Sequence, residues 1–158
     1  MDWVGWAVFG LVATTGLTAA MIFAQLAGQT RLDLPLMLGT ITTEDPDRAR
    51  VAGFVIHLAI GQVFALFYAA GFAALDRSDW WLGALFGLAH AAVALTVLVT
   101  LLPGVHPRMA SERAGPDSIS VLEPPGLFAV NYGNATPVFA LGAHVAYGTV
   151  LGLFLGSG

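Results

Sequence analysis

Two stretches of this chain place a histidine in the same setting: HLAIGQVFALF at 57–67 and HVAYGTVLGLF at 144–154 match at six of eleven positions. Histidine is the commonest metal ligand and titrates near neutrality. In an apolar segment it is costly unless paired, so its recurrence at one spacing calls for a chemical reason. Ligation is the chemistry that fits best. His57 and His144, facing each other across a helix bundle, would supply both axial positions of a b-type haem. Gly61 and Gly148 each follow their histidine by four residues, on the same helix face, and would leave room for a porphyrin. Haem would bring electron transfer. His90 reads as a second cofactor or quinone position, roughly 8 Å deeper than the pair. In a non-haem variant, His57, His144 and His106, with Glu112 or Asp33 nearby, would hold iron or copper. Arg108 suits a propionate, phosphate or carboxylate, or, more plainly, anionic lipid headgroups.

Two other readings compete. Thr14, Thr15, Thr18, Gln62 and Tyr147 could line a path through a small oligomeric transporter or channel. No apolar segment carries an Asp, Glu or Arg, which argues against charge-selective or proton-driven transport. Alternatively each histidine makes one hydrogen bond to a neighbouring helix and holds together a non-catalytic accessory subunit of a larger membrane complex.

Helices in a membrane must position these side chains. Of 158 residues, 57% are hydrophobic and 10% charged, and the mean hydropathy is +0.78. Soluble domains carry about 25% charged residues. The net charge is −4, and all six basic residues are Arg, so no basic surface is offered to nucleic acid. The chain has no Cys, which excludes disulfides, thiolate metal sites and Cys nucleophiles. Hydrolase, dinucleotide and phosphate-loop motifs are missing, and the carboxylates near 44–47 sit on a solvated turn. Four segments reach the ~20 apolar residues that a span needs: about 4–27, 51–75, 81–102 and 137–155. The first is too long for a signal-peptide core and reads as a retained span. The fold class is therefore all-α, a four-helix membrane bundle in one transmembrane domain.

Arg31, Arg48 and Arg50 lie in the first link, Arg108 and Arg113 in the third, and Arg77 alone in the second. The positive-inside rule puts loops 28–50 and 103–136 in the cytoplasm and both termini outside. Trp3, Trp6, Trp80 and Trp81 all fall on that outer side, as an aromatic belt would.

A second echo, DWVGWAVFGL (2–11) against DWWLGALFGL (79–88), matches at six of ten positions. Together the echoes imply two repeated helical hairpins related by a pseudo-two-fold axis along the membrane normal. GALFG (83–87) and GTVLG (148–152) have the spacing of close helix approach. In the first loop, LPLMLG reads as a short interfacial segment, and Thr43 or Asp45 as the cap of the next helix, with Asp47 and Arg50 paired on its first turn. In the long loop, GPDS marks a turn, and PPGLFAVNYG lies in the interface or folds back over the mouth.

DLPLMLGT (33–40), GFVIHLAIG (53–61), HPRM (106–109) and NYG (131–133) together resemble a group of small bacterial four-helix integral membrane proteins of unassigned function. The resemblance spans nearly the whole chain. It implies a bacterial inner-membrane location and contact with the lipid bilayer, and it carries no activity.

Overall fold

The computed structural model describes residues 2–111 and 122–155. Short side chains start each helix in the first half. Asp2 caps α1 (Trp3–Leu26) by accepting from the Gly5 amide at 2.8 Å. Asp33 caps α2 (Leu34–Gly39) through the Leu36 amide at 2.9 Å. Asp45 caps α3 (Pro46–Ala74) through the Arg48 amide at 2.8 Å. Each cap satisfies an amide that the helix itself leaves unpaired. α4 (Trp80–Val93) runs through a π turn (Ala94–Leu98) into α5 (Val99–Val105), making one rod over Trp80–Val105. Pro103 lies inside this rod, where it removes one helical donor and crowds the carbonyl of Val99. The long connection returns through a 3-10 segment (Leu127–Tyr132) to α6 (Thr136–Phe154).

The rods Trp3–Leu26, Pro46–Ala74, Trp80–Val105 and Thr136–Phe154 are long and apolar enough to cross a membrane. They match the expected spans to within a few residues, except that α3 starts five residues earlier, at its Asp45 cap. The interfacial segment LPLMLG is α2, and it packs on α3. Among the described residues there is no strand, only an isolated bridge between Met109 and Leu122.

α6 packs most closely on α4 and next on α1; α1 also packs on α3, while α3 and α6 touch little. Small residues set these distances. A Cβ on Gly83 would collide with the Gly148 backbone, and one on Gly87 with the His144 carbonyl. In the other hairpin a Cβ on Gly61 would collide with Thr14. Lipid offers apolar helices no hydrophobic drive to associate, so such close packing and interhelical hydrogen bonds must hold the bundle.

The hairpins are packed in different registers. By the echo at 2–11 and 79–88, Thr14 corresponds to Ala91. Gly61 meets Thr14, yet its counterpart Gly148 meets Gly83, eight residues from Ala91 and so about 12 Å along the helix. Likeness in sequence therefore does not carry over into equivalent contacts.

Phe9 stacks on Phe154, with centroids 4.5 Å apart, so the first half of α1 and the end of α6 lie at one end of the bundle. α2, the 3-10 segment and the paired side chains of Arg31, Arg50 and Arg108 occupy the other. Valines, leucines and phenylalanines cover much of the outer surface, Val4, Val51, Phe67 and Leu101 among them.

Candidate functional site: an imidazole cluster between the helices

Three histidines sit among the spans. His57 lies on α3, and its Nδ1 is 2.7 Å from Thr18 Oγ1 on α1. The Thr18 hydroxyl has one hydrogen and also lies 2.8 Å from the Thr14 carbonyl. With that hydrogen on the carbonyl, Thr18 accepts from His57 and the proton of the neutral ring sits on Nδ1. His144 on α6 reaches the same state by another route: its Nδ1 is 2.7 Å from the Ala140 carbonyl, which can only accept. In both neutral rings the lone pair is therefore on Nε2, and neither Nε2 has a hydrogen-bond partner among the described residues.

His90 on α4 completes the cluster. Its ring stacks on Phe64 at 3.8 Å, and its Nδ1 lies 3.3 Å from the Tyr68 hydroxyl. It stands edge-on to His144 at 4.7 Å. The Gly83–Gly148 contact brings α4 and α6 together, and one turn further along α4, Gly87 meets His144. The expected 8 Å separation in depth is thereby closed, and the ring that meets His144 edge-on is His90, not His57. The three imidazoles lie within electrostatic reach of one another. Tyr147 closes the floor, donating to the Gly61 carbonyl at 2.6 Å.

Haem does not fit as the spacing suggested. Gly61 and Gly148 were to leave space for porphyrin, and that space is filled by Thr14 and by the Gly83 backbone. The face of His90 is covered by Phe64. Glycine here serves approach between helices, a use that sequence spacing alone does not separate from ligand clearance.

The proposed three-ligand set is not assembled either. His106 lies outside the spans, at the charged end, 5% exposed. Its Nδ1 accepts from the Arg108 amide at 3.1 Å, and its Nε2 points at the Met37 carbonyl at 3.0 Å. Both nitrogens are occupied, which leaves none for a metal. Burial holds its pKa below the ordinary histidine value, and the Arg108 charge adds to that, against the Met37 bond. Asp33 is committed to the α2 cap and to Arg50. Glu112 and Arg113, like the GPDS turn, lie outside the described residues. Among the described residues no group of three His, Asp or Glu is placed to hold a metal.

Arg108 serves the chain rather than a ligand. Its guanidinium donates to the Thr40 carbonyl at 2.5 Å and to Glu44 at 3.3 Å, and with His106 it ties the end of α5 to the loop after α2. Across that end, Arg31 bridges Glu123 and the Asn131 carbonyl, and Tyr132 donates to the Glu123 carbonyl at 2.5 Å. Burial raises the Tyr132 pKa to about 12, with Glu123 adding to the shift and Arg31 opposing it.

The transport candidates divide. Thr14 and Thr18 are buried and bonded back to their own helix, Thr15 faces outward, and the Gln62 amide donates to the Ala7 carbonyl at 2.8 Å. Sequence reasoning missed Thr18 as the partner of His57; no pattern links positions 39 residues apart on different helices.

No family model matches this chain, and no curated protein or solved structure gives a significant match.

Proposed function

We propose that this multi-pass membrane protein binds a metal ion through Nε2 of His57 and His144, with His90 beside them. One observation carries the reading: both Nδ1 atoms are held by oxygen acceptors, leaving both Nε2 lone pairs free. Ligating histidines are typically oriented in this way, by a bond from the other ring nitrogen. The donor set is neutral, with no carboxylate or thiolate to offset charge in an apolar setting, which favours an ion of low charge. Of iron and copper, copper as Cu(I) fits best, because imidazole suits copper and a monovalent ion costs least to bury. Bound copper would supply one-electron chemistry. The electrostatic influence of His144 on His57 supports their nearness. The Arg and Trp distribution supports an orientation with both termini outside, and the family resemblance supports a bacterial inner membrane.

The test is metal content. Protein purified in detergent, loaded with Cu(I) and desalted, retains about one copper per chain. His57→Ala and His144→Ala lose it, and no Soret band develops on haem supplementation. Wild-type protein that emerges free of copper overturns the reading.

A second reading, a non-catalytic accessory subunit, is favoured by the direction of the same bonds. His57–Thr18, His90–Tyr68 and Tyr147–Gly61 each cross between helices. They join α3 to its neighbours where α3 and α6 pack little. Intact co-purification with a larger membrane complex, or as a homo-oligomer, supports it.

A further inference from the structure

Outside the imidazole cluster, α1, α2 and α3 border an open-sided crevice of about 760 Å³ at the Arg-rich end of the bundle. Ile22 and Leu26 of α1 form one wall, and Val51 and Phe54 of α3 the other. Asp33 and Arg50 line its polar end. Its volume lies within the range of small-molecule sites, ~300–1,000 Å³. The order of its lining, apolar along the spans and charged where they leave the membrane, is that of an amphiphile.

The charges choose the headgroup. Arg50 Nε donates to Asp33 Oδ2 at 2.9 Å, and Nη1 lies 3.5 Å from Asp47 Oδ1. Nη2 carries no hydrogen bond among the described residues. One guanidinium is thus flanked by two carboxylates, and Asp47 is 99% exposed. A purely anionic headgroup would meet Arg50 and be repelled by Asp33 and Asp47. A zwitterion with a hydrogen-bonding cation meets both signs: its phosphate takes the unused guanidinium N–H, and its ammonium takes Asp47. Choline offers a cation without N–H, and a glycerol headgroup offers no cation.

The geometry points to a specific site for one phosphatidylethanolamine molecule in this crevice, with its phosphate on Arg50, its ammonium on Asp47, and an acyl chain between Ile22 and Phe54. The site binds independently of any metal at the imidazole cluster. It rests only on the helices lying in a bilayer.

Native mass spectrometry of the delipidated full chain tests it, with equal amounts of phosphatidylethanolamine, phosphatidylcholine and phosphatidylglycerol added back. One phosphatidylethanolamine is retained at least fivefold over either competitor. Arg50→Gln lowers that retention about tenfold, the size expected for a charge-assisted bond. Asp47→Asn, at an exposed side chain without a packing role, keeps the fold and removes the preference over phosphatidylcholine. Phe54→Trp is quenched by phosphatidylethanolamine brominated on its acyl chain, and less so in the Arg50→Gln background. Equal retention of the three lipids overturns the proposal, as does preference for phosphatidylglycerol, or an Asp47→Asn variant that still discriminates.

Discussion

The ring of His90 stands edge-on to that of His144, with centroids 4.7 Å apart and planes at 85°. That angle brings one ring's positive edge to the other's electron-rich face, the preferred arrangement of aromatic pairs. It exists because α4 and α6 meet through bare glycine backbone, so any change that parts these helices also parts the rings.

Gly83→Ala is therefore expected to be among the most damaging single-methyl changes, at about 3 kcal/mol, because the new Cβ meets Gly148 backbone that cannot turn aside. Gly142→Ala on α6 meets nothing within 4 Å and should stay within about 0.5 kcal/mol of wild type. Unfolding in mixed micelles followed by circular dichroism compares the two.

Thr18→Val removes the acceptor that holds His57 Nδ1–H while keeping the shape of the side chain. Loss of such an orienting partner typically costs 10–100-fold in metal affinity. Competition titration with a Cu(I) chelator should show that drop, with the helix content unchanged. An unaltered affinity would separate Thr18 from ligand binding.

Tyr147→Phe deletes the hydroxyl that donates to the Gly61 carbonyl at 2.6 Å, deep in the bundle. Interhelical hydrogen bonds in membranes are worth about 0.6 kcal/mol on average and up to about 1.7. A loss of about 1 kcal/mol is expected in the same unfolding assay.

Buried His106 lies below the ordinary histidine pKa of 6.5, so the unfolded end of the chain binds the proton more readily. Stability from this group is then complete above pH 6.5 and falls as pH drops towards its folded pKa. Protonation also destroys the acceptor that His106 Nδ1 offers the Arg108 amide. Protection factors over 36–44 and 106–109, which correct for the intrinsic slowing of base-catalysed exchange, should fall between pH 7 and 5 in wild type and stay level in His106→Gln.

The chain contains no Cys, so a single introduced thiol reports orientation cleanly. In sealed cells Ser78→Cys, in the link between α3 and α4, should react with a membrane-impermeant maleimide, and Thr43→Cys should not. The reverse pattern would invert the assignment of the termini.

The helices and the end that each loop occupies could be read from the amino-acid order, because those properties are local. A run of apolar residues must pair its own backbone as a helix, and Asp45 before Pro46 caps one wherever the chain goes. Clustering of Arg31, Arg50 and Arg108 at one end of the bundle follows from four spans of that length. Which side chains meet was decided only in three dimensions. His57 and His144 look equivalent along the chain, yet one is held by Thr18 and the other by its own helix, and His90 became the neighbour of His144. The eight-residue difference in register between the hairpins comes from which glycine each helix presents to its partner. Close packing between helices depends on steric fit summed over two surfaces, and a pattern along one strand of sequence does not contain that sum.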